Sequence, residues 1–443
     1  MKKIVGLLAA AAVLATSVFA ADVAAKVRVT GDIFNLDNTV VNEKGEAASA
    51  LKLFRAATVS HWYDAPYVTL STSTDNAGGN VQFVTGDDGS TNLGVDKVQV
   101  WFKPIDVLKI QAGDNGFNMN TETIDYTNIS GNAETFGYSL GFAQDALSIT
   151  AVLGTGNNGW FFEDAQAKYG TKEEPATSYV KDLYTILSYS ADFGKISAFF
   201  EYQGKNLEGT KEAFAETPDF SKLKYNPTVI KFGAGYSNTI DNLTFFADVV
   251  GTSKSAATDK EMDLAKDYAL AQLAAGKSGD DLLVPGIAVD KDGKARSAFG
   301  LAFDAFAAYS ADALTVKGYV VAKINDFGQL NEKKDGTDIM YANNFELGLK
   351  ARVDYKLDNG IGLYAYFGSG NLLKKAPTYP EKKPFEVSVF ESTIKVGASG
   401  SVGICGWETW LQLDTGKSVA SGKDAGKFDK VNVKMPVYIQ VAF

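Results

Sequence analysis

The residue types that carry most enzyme chemistry are nearly absent from this sequence. Among its 443 residues, His61 is the only histidine and Cys405 the only cysteine. A Ser–His–acid site would have to use His61, which adjoins Ser60 and precedes Asp64, but its place beside a predicted turn favours an interfacial residue. One cysteine cannot form an internal disulfide, and one histidine leaves the usual zinc ligand sets incomplete. We therefore expect no catalytic residue, no metal and no cofactor.

Charged side chains, by contrast, are abundant and regularly placed. In Phe345–Leu357, apolar residues occupy every second position, and Glu346, Lys350, Arg352 and Asp354 lie between them. A β-strand sends successive side chains to opposite faces, so this segment has one apolar and one charged face. The C-terminal segment repeats the alternation. The sequence therefore predicts strands that separate an apolar from an aqueous environment.

These strands come in pairs, with short turns at one end and long polar segments at the other. We interpret the chain as seven such hairpins, one last strand at Val431–Phe443, and three N-terminal strands at Lys26–Phe34, Leu51–Trp62 and Pro66–Thr74. The total is 18 strands, with 16 as the alternative, because 76–93 is ambiguous. Short turns opposite long loops are typical of a transmembrane antiparallel β-barrel with periplasmic turns and external loops.

The N-terminus has the pattern of a secretory signal peptide. Lys2 and Lys3 precede an apolar core at Ile4–Ala15, and a small-x-small site ends at Ala20, where we expect cleavage. No later segment approaches 18 consecutive apolar residues. The mature chain is therefore either a closed barrel or a soluble exported β-protein. We expect two parts, the signal peptide at 1–20 and a single barrel domain at 21–443.

One segment departs from the strand pattern. Ser255–Lys277 has apolar residues near helical spacing, and Thr258 with Glu261 matches a capping box. We predict a short loop helix near 258–275. It either decorates an external loop or folds inward to narrow the barrel.

The last residues, Tyr438 to Phe443, alternate and end in an aromatic residue. This end resembles the assembly signal of Gram-negative outer-membrane barrels, and the whole mature chain resembles the outer-membrane porins of general or substrate-specific type. The resemblance implies that Tyr438, Val441 and Phe443 are recognised by the barrel-assembly machinery. It also implies a homotrimer in contact with outer-membrane lipids, and passive diffusion of small hydrophilic solutes.

If the apolar faces meet lipid, the intervening charges line the lumen, because a basic residue on the lipid side costs about 2–4 kcal/mol near the midplane. The pore-lining candidates are Lys97, Lys109, Lys195, Glu201, Lys231, Asp248, Asp304, Lys317, Lys350, Arg352, Asp354, Lys395, Glu408 and Lys434. The whole chain has 43 basic and 53 acidic residues, a net charge of −10, which argues against nucleic-acid binding. Basic residues nevertheless dominate the predicted wall, which favours a weak preference for anions or neutral solutes. Mixed charges that pair with each other and give little selectivity are the plainer interpretation.

Aromatic residues fall on both predicted faces. Those on the lumen face are Trp101, Phe199, Phe246, Phe306, Tyr319, Trp410 and Tyr438. They would form a sugar-binding track, pack against inward-folded loops, or mark errors of register. Two further functions stay open: a substrate-specific channel for sugars or organic acids, and a surface adhesin with the barrel as scaffold.

Overall fold

The computed structural model describes most of the chain. The described residues are 22–41, 47–57, 67–85, 93–117, 119, 133–154, 162–164, 178–180, 182–204, 206–208, 224–274, 294–325, 332–334, 337–339, 344–374, 392–418 and 428–442. The predicted signal cleavage at Ala20, the terminal Phe443 and His61 lie outside them.

The described chain consists almost entirely of antiparallel β-strands. The strands of the main sheet are β1 (Asp22–Val41), β2 (Ala47–Ala57), β3 (Tyr67–Ser73), β4 (Ala77–Thr85), β5 (Leu93–Ile105), β6 (Leu108–Phe117), β7 (Ala133–Gln144), β8 (Leu147–Gly154), β11 (Asp182–Ala191), β12 (Gly194–Gln203), β15 (Val229–Ile240), β16 (Leu243–Lys254), β17 (Ala298–Ala311), β18 (Leu314–Asn325), β21 (Asn344–Lys356), β22 (Gly362–Lys374), β23 (Ser392–Val402), β24 (Cys405–Ser418) and β25 (Phe428–Ala442). Three small two-stranded sheets lie between them: β9 (Phe162–Asp164) with β10 (Ser178–Val180), β13 (Asn206–Glu208) with β14 (Lys224–Asn226), and β19 (Glu332–Lys334) with β20 (Thr337–Ile339).

The main sheet closes on itself. Consecutive strands of the main sheet pair with each other, except β2 and β3, and β25 returns to pair with β1 from Lys26 opposite Ala442 to Asp37 opposite Asn432. The sheet has 19 strands, but β2 and β3 occupy one position in the ring. β2 pairs with the C-terminal part of β1, and β3 pairs with its first residues. The structure is therefore a closed 18-stranded barrel, as the sequence predicts.

The allocation of the N-terminal strands differs from the prediction. Leu51–Trp62 was expected to be an independent strand, yet β2 forms only one half of a strand position that β3 completes. The ambiguous region contains a true strand, β4, which pairs with β3 on one side and β5 on the other. The predicted total of 18 is still right, because one strand position is lost where β2 and β3 share a place and one is gained with β4. Periodicity reports which face a residue occupies but not which strand lies beside it.

All seven predicted hairpins are present, and their turns are short. Three turns place an aspartate in the left-handed region, with φ of 50° at Asp145, 49° at Asp241 and 47° at Asp312. Aspartate tolerates this conformation because its short side chain can hydrogen-bond locally. These local preferences fix the register of each hairpin, and the register decides which side chains point inward.

The two faces of the wall differ as predicted. Leu349 and Val353 of β21 are exposed on the outer side, while Tyr319, Phe306 and Asp304 on the opposite face of β17 and β18 are buried. An apolar outer surface and an enclosed polar interior are the pattern of a barrel that spans a membrane. Outward aromatic residues cluster near the turns, among them Tyr189, Phe193, Tyr236, Tyr309, Tyr355 and Trp407, where an interfacial girdle is expected.

The predicted loop helix is confirmed as α1 (Asp259–Ala274). Its capping box forms: the backbone N–H of Thr258 donates to Glu261 Oε2 at 2.6 Å, and the N–H of Glu261 donates to Thr258 Oγ1 at 3.4 Å. On its exposed face, a hydrogen bond to Asp263 raises the pKa of Lys266. In the described part of the chain, α1 included, no helix has the length and apolar character to cross a bilayer.

The orientation of the wall predicts the effect of an outward charge. Leu349→Lys places an ammonium on the lipid side of β21 near the middle of the strand and should destabilise the folded barrel by about 2–4 kcal/mol. Thr244→Lys, on the inward face of β16, is the matched control and should change stability little. Urea unfolding in lipid vesicles measures both, and equal losses would contradict the assignment of faces.

Candidate functional site

The cross-strand register places all fourteen charged candidates on the inward face. Lys317 lies opposite Arg352, and Lys350 lies opposite the buried Tyr319. Lys231 lies opposite Glu201, which is 3% exposed. The same alternation carries the remaining members inward: Lys97, Lys109, Lys195, Asp248, Asp304, Asp354, Lys395, Glu408 and Lys434.

Four of the basic residues form one continuous row across six neighbouring strands. Lys317 lies opposite Arg352, which lies opposite Tyr366. Tyr366 lies opposite Lys395, and Gln412 then links Lys395 to Lys434. No acidic residue occupies a position in this row. Because barrel strands are tilted, such a row runs obliquely up the wall. We call Lys317, Arg352, Lys395 and Lys434 the basic row.

Cations of this wall lie over aromatic rings. The Arg352 guanidinium is 4.3 Å from the centre of the Tyr364 ring, and Lys395 Nζ is 4.8 Å from that of Tyr366. Arg352 is also held by Asp354, which accepts from its Nε at 2.8 Å and lies 2.7 Å from its Nη2. Stacking and ion pairing together fix the guanidinium against the wall.

A second network joins the first and last strands. Glu408 of β24 lies opposite Tyr438 of β25, and its carboxylate interacts electrostatically with the hydroxyls of Tyr438 and Tyr364. The Arg28 guanidinium of β1 lies 3.9 Å from the Tyr438 ring, and its Nε donates to Gln440 Oε1 at 3.1 Å. These contacts connect strands β22 to β1 along the inner surface. They stabilise the seam where the barrel closes.

Glycines let the inward rings lie flat. A Cβ at Gly397 would stand 2.6 Å from Tyr364 Cζ, and one at Gly233 would stand 2.4 Å from Phe199 Cε1. Gly78 similarly supports the Trp101 ring, over which Lys109 Nζ lies 5.1 Å from the ring centre. These rings therefore lie against the neighbouring backbone at the glycine positions.

The adjoining strands β12 to β17 carry buried acidic groups. Lys231 Nζ lies 2.9 Å from Glu201 Oε1 and 3.0 Å from Oε2. Asp248 and Asp304 face each other across β16 and β17, and the Tyr319 hydroxyl donates to Asp304 Oδ2 at 2.9 Å. Each region of the inner surface carries both signs of charge, since Lys231 lies beside Glu201 here, and Asp354 and Asp414 lie beside cations of the basic row.

One residue after β6 reaches across the interior. Met119 is fully buried and packs on Phe199 of β12 and Val250 of β16. Lys195 Nζ donates to the Met119 carbonyl at 3.3 Å. Because several strands separate β6 from β16 around the ring, Met119 must lie inside the barrel. This supports packing against an inward-folded segment for Phe199, one of the alternatives for the lumen aromatics. The sequence offered no sign of it, because an isolated contact has no periodicity.

The described residues offer little for catalysis or metal binding. Gly137-Tyr138-Ser139-Leu140-Gly141 has the spacing of a hydrolase nucleophile motif, but it lies wholly within β7 and lacks the strand-to-helix turn that exposes such a serine. Across the described ranges, no group of three histidine, cysteine or carboxylate side chains is placed to hold a metal ion.

Comparison with known proteins gives only distant likenesses. Neither a protein-family model nor a characterised protein sequence matches the chain. Among solved structures, the chain is similar to the outer-membrane channel DcaP of Acinetobacter baumannii (11% identity, TM-score 0.45, 96% of this chain and 97% of that chain). OccK2 (OpdF) of Pseudomonas aeruginosa (10%, 0.45, 96% and 98%) and OmpT of Vibrio cholerae in its trimer form (10%, 0.42, 96% and 99%) are comparable. The strand pairing itself establishes the fold, a closed antiparallel barrel with 18 strand positions.

Gly397 lies beneath the Tyr364 ring, so a side chain added at this position should have a steric cost. Gly397→Ala should destabilise the barrel by about 1–3 kcal/mol, because the new methyl overlaps the ring and the Trp410 side chain. Gly318→Ala is the control, since no atom lies within 4 Å of its Cβ position. Urea unfolding compares the two, and an equal response would contradict the packing described for Tyr364.

The Glu201–Lys231 pair predicts a non-additive response. Lys231→Met leaves a buried carboxylate without its cation and should cost on the order of 3 kcal/mol in unfolding free energy. Adding Glu201→Gln should recover most of that loss, because the neutral amide needs no counter-charge. Additive losses in this double-mutant cycle would show that the two groups do not interact.

Proposed function

We propose that the protein is an outer-membrane channel for passive diffusion of small hydrophilic solutes, with a weak preference for anions. Support comes from the closed barrel, whose outer surface is apolar and whose inner face carries the charges. A barrel of about 18 strands is wide enough to leave an aqueous lumen. Solutes cross without a chemical step, so width and wall charge set permeability.

The observation that carries the anion preference is the basic row. Its four cations follow one register line with no acid among them. Asp354 and Asp414 lower the net charge: Asp354 pairs with Arg352, and Lys434 Nζ lies 3.6 Å from Asp414 Oδ2. A partly compensated row attracts anions without holding them, which passage requires. The buried Glu201 pairs with Lys231 and adds little opposing field.

The remaining parts of the proposal follow from the same barrel. Residues 1–20 serve as the export signal and 21–443 form the single domain. Outer-membrane lipids contact the apolar face, Tyr438, Val441 and Phe443 serve assembly, and the channel is a homotrimer.

Reversal potentials in a salt gradient across a planar bilayer test this function. Stepwise conductance with anion preference is expected from the unmodified protein. Lys317→Gln, Lys395→Gln and Lys434→Gln together should lower the anion-to-cation permeability ratio about two- to threefold, because the wall loses three cations. The control variant loses the same three positive charges at other positions. It combines Lys266→Gln on α1 with Lys254→Gln and Lys294→Gln at the ends of the same loop.

Two results would contradict the proposal. Cation preference of the unmodified protein would refute the role of the basic row. A folded barrel without conductance would refute the channel and favour a scaffold for surface binding by the loops.

A further inference from the structure

The periplasmic turns share one feature that solute diffusion does not require. Of the eight short turns in the described part of the barrel, seven contain an aspartate, and the exception is Val402–Cys405. These aspartates are Asp75, Asp106, Asp145, Asp192, Asp241, Asp312 and Asp358, and all are exposed. Asp22, also exposed, begins β1 near the seam where the turn without a carboxylate leaves a gap. We call the seven turn residues the aspartate ring.

Turn chemistry explains an aspartate at some of these positions but not at all of them. Three have positive φ, where asparagine or glycine would serve as well. Asp106 and Asp192 are not among the residues with positive φ. The charge itself is therefore common to all seven sites, whereas the backbone requirement is not.

Spacing makes these charges act together. Successive turns are two strands apart, so neighbouring carboxylates are separated by roughly 12 Å around the rim for strands about 4.8 Å apart and tilted by about 40°. The Debye length is about 10 Å at 0.1 M salt and about 3 Å at 1 M. The fields of adjacent carboxylates therefore overlap at low salt and separate at high salt.

Nearby lysines do not neutralise the ring. Lys103, Lys109 and Lys195 are each three residues from a turn aspartate. The Nζ atoms of Lys103 and Lys109 lie 5.9 and 5.1 Å from the centre of the inward Trp101 ring. Lys195 Nζ donates to the carbonyl oxygen of Met119, away from the turn. Lys356, two residues before Asp358, is the remaining nearby cation in the described turns. The rim keeps an excess of negative charge.

We propose that the aspartate ring is a second selectivity element, a cation-collecting mouth in series with the basic row, which makes the channel rectify. This inference rests on the proposed channel function. The lumen then holds a positive zone inside the wall and a negative zone at the turn end. Voltage that drives anions from the loop end and cations from the turn end fills both zones with mobile ions and raises conductance. The opposite voltage empties them.

Single-channel current–voltage curves test this proposal. At 0.1 M KCl, the currents at equal and opposite voltages should differ roughly 1.5-fold or more, and at 1 M KCl they should become nearly equal because the ring is screened. Asp145→Asn, Asp241→Asn and Asp312→Asn together should bring the low-salt ratio at least halfway to one. Asparagine tolerates the left-handed turn, so the fold is preserved.

The matched control neutralises three aspartates at the opposite end of the barrel. Asp259→Asn, Asp263→Asn and Asp267→Asn on α1 should leave the ratio unchanged, and conductance at 1 M KCl shows that both variants form open channels. A channel with symmetric currents at low salt, or one whose asymmetry survives the turn variant, overturns this inference while leaving the diffusion channel intact. A barrel that carries no current refutes the proposed function itself and this inference with it.

Discussion

The pairing of β1 with β25 is the constraint on which the rest of the structure depends. Hydrocarbon offers no partner for an open strand edge, so a sheet in a membrane must satisfy its last row of backbone groups by closing. Here the closure runs from Lys26 opposite Ala442 to Asp37 opposite Asn432. Once the ring is closed, each residue has only two environments available, and its position along the strand decides which one it meets. The inward network of Arg28, Tyr438 and Glu408 strengthens this seam from the lumen side.

Polarity inside the barrel follows from that alternation. Because the register is fixed by short turns, lysines and arginines separated by as many as 117 residues in sequence (Lys317 to Lys434) fall on one line of the wall. Glycines beneath the rings keep the aromatic side chains flat, and Met119 narrows the interior from the other side. Wall charge, ring packing and the inward Met119 thus all depend on the same register of the strands.

Period-two patterns made the faces of the wall predictable. The predicted strand Phe345–Leu357 corresponds to β21 (Asn344–Lys356), in which the alternation holds. The fourteen charged candidates share one face of the sheet, and their role in lining a pore stays a prediction. Pairing was less predictable, because alternation does not identify a neighbour: Leu51–Trp62 had a strand-like pattern, yet β2 completes a position shared with β3. The Thr258–Glu261 capping box was visible because it is a local signal.

Long-range contacts were outside the reach of the sequence. The contact of Met119 with Phe199 and Val250 joins segments that share no pattern, and the basic row exists only after the registers of five strand pairs are known. The sequence shows the aspartate of each turn separately, but only the closed barrel shows that these aspartates form a ring. The sequence therefore named the four residues of the basic row, and the strand register shows that they lie on one line.

The most direct measurement of the central claim is the environment of successive residues along one strand. A fluorophore attached to single cysteines at 349 to 354, in a Cys405→Ser background, reports whether each position meets lipid or water through quenching by brominated acyl chains or by aqueous iodide. The account predicts strict alternation, with 349, 351 and 353 quenched by lipid and 350, 352 and 354 by iodide. Uniform quenching by iodide, or the reversed alternation, would contradict it.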